Sequence, residues 1–400
     1  MFDYLLYKLK RPYHLVKTGL FQGLPAQVTT GFPARKLTII ALTGTDGKTT
    51  SSTLLYHILK SAGKKVALIS TVAAYIGDER IDTGFHVTSP DPGQLHRLLR
   101  RMVKEGIEYV VLETTSHGIY QYRTWGITPT IAGVTNITHE HLDYHLSYDE
   151  YVKAKVLLLN KSKKVVLNRD DESFTHIKKH LRKKASVLTY SSTQRLHPHV
   201  AQSISQRFSQ PYNQMNARLV YTISKELGLT AEEFSQALPT FPGVPGRMEE
   251  VKLGQPYKVV VDFAHTPQAL ESTLKTLRSE LSKQGKLIAV YGCAGLRDHL
   301  KRPIMGRIGS ELADIAVFTA EDPRTENVWD IIRQMKEGLV DTHNKVASIP
   351  SRRAAIEFAL ATAKKGDTVA ILGKGHEQSM GFGTTEVPWN DTQVVTELLA

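Results

Sequence analysis

From Lys36 onward the chain alternates short runs of β-branched and apolar residues with longer stretches whose apolar positions recur every three or four residues, a pattern that predicts an α/β fold. Lys36–Leu42, Lys65–Ser70, Glu108–Thr114, Thr130–Thr138 and Lys163–Asp171 read as strands, and Tyr75–Ile81 reads as a hairpin. Thr49–Ala62, Gln94–Gly106 and Tyr148–Leu159 read as helices. Apolar runs of this kind fit a mostly parallel sheet covered by crossover helices, in which a nucleotide binds at the carboxyl ends of the strands.

Proline and glycine thicken at Phe241–Gly246, and a second series follows: strands at Tyr257–His265, Lys286–Gly295, Ala313–Arg324 and Asp367–Glu377, with helices near Pro267–Ser282 and Trp329–Leu339. The expected organisation is a basic amphipathic segment over residues 1–36, a central nucleotide-binding domain over 37–245 and a Rossmann-like domain over 246–400. The first segment reads as one or two amphipathic turns packed on the body, in preference to a membrane-surface anchor. Residues 189–209, rich in Ser, Gln and His, read as an irregular or β-type excursion without an assigned role.

Composition narrows the function classes. Lysine and arginine exceed the acids by 51 − 39 = 12, so anionic ligands are favoured. No aromatic-basic interleaving accompanies that charge, which argues against nucleic acid. The single cysteine, Cys293, cannot form an internal disulfide or a cysteine-based zinc site, and a reducing, cytoplasmic setting is the simpler expectation. No apolar run approaches the ~18 residues of a membrane helix, so stable insertion is not expected.

The strongest chemical signal is Leu42–Thr50, LTGTDGKTT, between a strand and a helix. Gly44 and Gly47 let the backbone N–H groups of Thr45 and Asp46 turn toward phosphate oxygens, Lys48 reaches the terminal phosphates, and the hydroxyls of Thr49 and Thr50 open the helix, with Thr49 placed for Mg²⁺. The spacing departs from the common phosphate loop, since position 42 is Leu and the first glycine is Gly44. Glu113 ends an apolar strand and is either a metal ligand or a cap or ion-pair partner. Thr135–His145 holds three histidines and two acids; beside a phosphate loop, Asn and Asp suit Mg²⁺ with at most one imidazole better than zinc. Lys155 and Lys153, by spacing alone, are two solvated helix lysines.

Taken in order, TGTDGKTT, TSPDPGQLH, ETTSHGIYQYR, TNITHEHLDYH, PGRMEEV, VDFAHTP, GCAGLRDHLKRP, EDPRTEN and GKGHE resemble the Mur ligases, in their muramoyl-tripeptide synthetase branch, from about Gly31 to the C-terminus. The resemblance implies that ATP phosphorylates the carboxylate of a UDP-N-acetylmuramoyl-dipeptide-like acceptor to an acyl phosphate, which an incoming amino acid attacks to give an amide, in peptidoglycan precursor synthesis. It implies catalytic or metal-binding roles for Lys48, Thr49, Glu113, His141 and Lys155, the last as a carbamate that binds Mg²⁺. It implies ATP contacts by Asn213, Asn216, Arg247 and Asp262, and acceptor contacts by Thr88, Ser89, Thr115, Gln121 and Arg123. The amino acid would meet Arg297, Glu321, Asp322, Pro323, Arg324, Gly373 and Glu377. Because Arg297, Arg324 and Glu377 are retained, meso-diaminopimelate is favoured over lysine, although EDPR replaces the family's DNPR.

About 40 residues precede Gly44, so the family's usual N-terminal domain, which grips the uridine nucleotide, is expected to be lacking. Two rival readings are a folylpolyglutamate synthetase-like ligase and a non-catalytic nucleotide-binding partner subunit. The retained EDPR and GKGHE segments oppose the first; retention of Lys48, Glu113 and Lys155 opposes the second. The expected enzyme closes its C-terminal domain over the ATP held by the central one.

Overall fold

The computed structural model describes residues 2–77, 79–81, 90–138, 142–182, 186–340 and 345–400. It divides into two compact units, Met1–Pro242 and Gly243–Ala400.

The first unit is built on strands β1 (Thr38–Thr43), β2 (Val66–Ile69), β3 (Ala74–Ile76), β4 (Glu79–Ile81), β5 (Tyr109–Glu113), β6 (Ile131–Val134), β7 (Lys164–Asn168) and β8 (Ser186–Tyr190), in the order β4-β3-β2-β5-β1-β6-β7-β8. Pairing from β2 across to β8 is parallel, and the expected hairpin is added at the edge, β3 antiparallel to β2 and β4 antiparallel to β3. Ile39, Ala67, Val110 and Leu112 pack on one face with Leu95, Leu99 and Met102, while Ala132, Val134 and Val165 pack with Val152, Val156 and Leu159. Strands buried on both faces need the continuous apolar runs seen in the sequence.

The N-terminal segment is far more ordered than one or two turns. It runs as helix α1 (Phe2–His14), a π-helical stretch Leu15–Gly23 and helix α2 (Leu24–Thr30). Gly19 and Gly23 explain the docking: a Cβ on either would come within 2.7 Å of the Trp125 indole, so only glycine lets the backbone lie against that ring. Helices α3 (Lys48–Ser61), α4 (Pro92–Lys104), α5 (Ser116–Tyr120), α6 (Leu142–His145) and α7 (Tyr148–Leu159) follow. Asp91 caps α4 by accepting from Gln94 N–H, with Pro92 in the first turn.

Residues 189–209 also correct the sequence expectation. After β8, Pro198–Arg207 is a helix that buries Val200 and Ile204, one turn apart, and Arg218 holds the preceding turn through the carbonyls of Ser191 and Gln194. The polar outer face of this helix hid its short apolar stripe.

In the second unit β9 (Glu249–Glu250), β10 (Lys258–Asp262), β11 (Leu287–Tyr291), β12 (Ile315–Phe318), β13 (Lys345–Ser348) and β14 (Thr368–Leu372) form a sheet in the order β13-β12-β11-β14-β10-β9. It is parallel except at β9. A hairpin, β15 (Ser379–Phe382) and β16 (Thr385–Pro388), stands apart. Among the described residues no helix is long and apolar enough to cross a membrane.

Candidate active site

In the first unit the site grows from the carboxyl ends of β1, β5 and β6. Leu42 pairs with Glu113 in the β1–β5 register, so the strand that feeds the glycine loop lies beside the one that ends in the carboxylate. Gly47 caps α3 with φ of 74°, a left-handed conformation costly for any residue with a Cβ. Gly44 approaches β6 so closely that an added Cβ would sit 1.8 Å from Thr135 Oγ1.

That neighbouring strand end fixes the loop. Asn136 accepts from Thr45 N–H through its carbonyl at 2.8 Å and from Asp46 N–H through its side chain at 2.9 Å. Thr135 Oγ1 donates to Asp46 O at 2.6 Å, and Thr138 N–H donates to Thr45 Oγ1 at 3.0 Å. Sequence reasoning missed this scaffolding, and it corrects the expectation that the Thr45 and Asp46 N–H groups turn toward phosphate, since Asn136 takes both; the Thr-Asn pair directly after a strand was the available signal.

Onto the loop converge three predicted residues. Thr49 Oγ1 donates to Glu113 Oε1 at 2.9 Å. Glu113 is 0% exposed and also accepts from the hydroxyl and N–H of Thr71, at 2.9 and 3.0 Å. Lys155 is 1% exposed, donates from Nζ to Gly44 O at 2.7 Å, and lies 4.5 Å from the centre of the Tyr151 ring. Lys153, by contrast, is partly exposed and pairs with Asp149 and Glu150. The two lysines that spacing could not separate are thus one buried and one on the surface. Lys48 folds back, with Nζ 2.5 Å from Thr45 O.

The remaining predicted residues of this unit divide into three groups. Asn216 touches the loop, since a Cβ on Gly47 would lie 2.4 Å from its Oδ1, and its amide donates to Asn213 Oδ1 at 3.4 Å. Thr115 caps α5 by accepting from Gly118 N–H, and Gln121 Nε2 donates to Tyr144 Oη at 3.0 Å, with Arg123 half-buried nearby. Thr88, Ser89 and His141 lie outside the described residues.

The second unit gathers its own set at the carboxyl ends of β10, β12 and β14. Asp262 accepts from Met248 N–H at 2.7 Å and Ala264 N–H at 2.9 Å; burial raises its pKa while the Arg247 charge opposes that rise. Arg247 lies 4.6 Å over Phe263, and its Nε is buried without a hydrogen-bond partner among the described residues. Lys374, 0% exposed, donates to Asp322 Oδ1 at 2.7 Å and pairs with Glu377. One ammonium thus faces two carboxylates, and the group keeps a net negative charge. Lys374 is a second residue that sequence reasoning passed over, although it sits inside GKGHE.

Glu321 is 5% exposed, and burial pushes its carboxyl up to about 7. Gly373, with φ of 110°, makes room for it: a Cβ there would sit 2.8 Å from Glu321 Oε2. Arg324 takes a left-handed φ of 51°, and it is held there because its N–H donates to Gly381 O and its carbonyl accepts from Gly383 N–H of the β15–β16 hairpin. Its Nη1 donates to Gly295 O at 2.5 Å, next to Pro323, whereas Arg297 is exposed on the following loop.

Comparison with known proteins agrees with this layout. The Mur ligase middle domain matches residues 42–226, and the Mur ligase glutamate ligase domain matches residues 246–375. A Clostridium tetani protein named UDP-N-acetylmuramoyl-L-alanyl-D-glutamate–2,6-diaminopimelate ligase is 37% identical over 388 residues, covering 92% of this chain and 79% of its own length. Its namesake in Bacteroides fragilis is 35% identical, over 94% and 81%. A solved structure of a ligase of the same name superposes with a TM-score of 0.63 at 30% identity, over 94% of this chain and 81% of that one. A Mycobacterium tuberculosis folylpolyglutamate synthase shares the fold alone, with a TM-score of 0.67 at 16% identity over 92% and 96%. On this likeness across both units, the chain belongs to the Mur ligase family.

Proposed function

We propose that this chain joins meso-diaminopimelate to UDP-N-acetylmuramoyl-L-alanyl-D-glutamate, converting ATP to ADP and phosphate. The observation that carries the reading is the convergence of Thr49, Glu113 and Lys155 on one glycine loop, with no bulk water around the carboxylate or the amine.

The chemistry follows in two steps. The acceptor carboxylate attacks the γ-phosphorus of ATP, the bond to the β-phosphate oxygen breaks, and an acyl phosphate and ADP result. The amine of the amino acid then attacks the acyl carbon, phosphate leaves, and the amine proton is lost to a base. For the first step Lys48 and the N–H groups at the start of α3 hold the negative phosphates, those of Thr45 and Asp46 being taken by Asn136, and Lys48 reaches them by leaving Thr45 O. For the second, Arg324 takes the distal carboxylate of the diamino acid, and Glu377 with Asp322 takes its ammonium, the charge between them being set by Lys374.

The donor set suits Mg²⁺: a hydroxyl and a carboxylate, both oxygen, at the amino end of α3. Thr49, Glu113, His141 and Lys155 would hold it, and the ion would neutralise charge on the transferring phosphoryl group. Lys155 would serve there as a carbamate, its amine adding CO₂ and losing a proton, which replaces a cation beside the ion with an oxygen ligand. Arg247 and Asp262 serve the ATP ribose and phosphates, and Thr115, Gln121 and Arg123 the muramyl peptide.

The test is phosphate release from ATP with UDP-N-acetylmuramoyl-L-alanyl-D-glutamate, offering diaminopimelate, lysine and glutamate in turn. Diaminopimelate-dependent release is expected. Preference for lysine would overturn the amino-acid assignment, and glutamate-dependent turnover of a folate acceptor would overturn the acceptor.

A further inference from the structure

The strap formed by the stretch Leu15–Gly23 and helix α2 is built inside out. Thr18, Gly19 and Gly23 are buried against the body, the two glycines at the Trp125 ring, and Gln27 turns its amide onto Gly126, where a Cβ would lie 1.7 Å from Nε2. The opposite face carries Val16, Leu20, Leu24 and Val28, each four residues from the next, with Phe21 beside them. All five are exposed, Phe21 at 75%. Folding by itself favours the reverse arrangement, with apolar side chains inward and polar ones outward. Of the twenty large hydrophobic side chains exposed among the described residues, eight fall between residues 4 and 28, so apolar surface is gathered on this element rather than scattered over the chain.

The rim of this face is basic. Lys17, next to Val16, stands 5.5 Å from the centre of the exposed Tyr13 ring. At the other end Arg100 of α4 donates to Thr29 O at 3.4 Å, and Arg35 lies 4.5 Å over Phe32, with the exposed Lys36 following it in the chain. Among the described residues none of Lys17, Arg35, Lys36 and Arg100 pairs with a carboxylate, and residues 4–45 contain no Asp or Glu.

An apolar stripe between unpaired cations suits an element that lies in the headgroup region of a bilayer, its Phe and Leu side chains at the acyl boundary and its Lys and Arg on the lipid phosphates. A second copy of the chain fits less well, because a two-fold contact lays this basic rim against an identical one with no acid to answer it. Packing on the body and contact with a membrane are compatible here: the glycines turn one face inward and leave the other free.

We infer that the outward face of Leu15–Thr30 docks on an anionic lipid surface, lying in the interface without crossing it. The inference is independent of the acceptor and amino acid proposed above. Flotation of the full chain with mixed phosphatidylglycerol and phosphatidylcholine vesicles, against phosphatidylcholine alone, tests it. The chain should float with the anionic vesicles and not with the neutral ones, and added salt should weaken the binding. Phe21→Gln with Leu24→Gln should lower the partition about tenfold or more, and Lys17→Gln with Lys36→Gln about tenfold at low salt. Leu253→Gln, at an exposed residue of the second unit, should change nothing. All these side chains are exposed, so melting should stay within about 2 °C of the parent, and the lysine pair carries the test by itself should the apolar pair melt lower.

No flotation with anionic vesicles, equal flotation with neutral ones, or flotation unchanged in a stably folded double variant would overturn the inference. So would a chain that sedimentation equilibrium finds dimeric without lipid and monomeric after Phe21→Gln with Leu24→Gln, since the face would then belong to a second copy.

Discussion

Glu113→Gln separates a structural carboxylate from a chemical one. The native carboxylate accepts from the Thr49 and Thr71 hydroxyls on Oε1 and from Thr71 N–H on Oε2. Glutamine has the same shape. With its oxygen in the Oε2 position it still accepts from Thr71 N–H, and its amide donates to both hydroxyls, which can turn to accept. The network survives and only charge assistance is lost, a cost of about 1 kcal/mol, or roughly 2–4 °C in the melting of a unit of this size. The effect on chemistry is larger. Two unit charges about 4 Å apart at an effective dielectric of about 20 interact by about 4 kcal/mol, roughly a thousandfold in rate or in metal affinity. Steady-state ADP release across a Mg²⁺ titration, with melting on the same samples, is the assay. The expected result is kcat down about 10²–10³-fold, a higher Mg²⁺ requirement and a melting shift of a few degrees. A variant with kcat within about threefold of the parent at unchanged Mg²⁺ demand would refute the reasoning, leaving Glu113 as a partner for two threonines.

Gly47→Ala adds a Cβ at a left-handed residue and 2.4 Å from Asn216 Oδ1, so ATP affinity should fall about tenfold; Gly254→Ala, at a φ of 92° with open space around it, carries similar backbone strain and should leave ATP affinity unchanged, as read by calorimetry. The raised carboxyl of Glu321 binds its proton more tightly folded than unfolded, so it should cost stability as pH rises from about 4.5 to about 7, by up to about 3 kcal/mol relative to Glu321→Gln; denaturant melts across that window that show no difference between the two proteins would contradict this. Asp391→Ala strands the buried Arg352, which now donates to Asp391 at 2.8 and 2.6 Å and to the carbonyls of Ala320 and Leu372, and should destabilise the second unit by about 3–5 kcal/mol in chemical denaturation.

The central strands of both sheets were readable because parallel strands buried on two faces need unbroken apolar runs, and the phosphate loop because its glycines and lysine lie close together in the chain, whereas the edge strands β8, β9 and β13 were not read. Helix Pro198–Arg207 was not, because it buries only a narrow stripe beneath a polar face. The N-terminal strap was underestimated for a related reason: its order comes from distant partners, Trp125 against Gly19 and Gly23, and Tyr120 and His145 against Tyr7.

Local chemistry was therefore set by the order of residues: which loop can cradle phosphate, where a strand stops on a carboxylate, and where a glycine must lie. Environment was decided only by the folded chain. Lys153 and Lys155 are the same residue type two positions apart, yet one is turned into solvent beside two acids and the other is walled in over Tyr151 against Gly44. Lys374 likewise becomes the counter-charge of Asp322 and Glu377 only when β14 and the turn after β12 are brought side by side. Dielectric surroundings and charge partners are properties of packing between segments far apart in the chain, and they determine whether an ammonium is solvated, paired or buried.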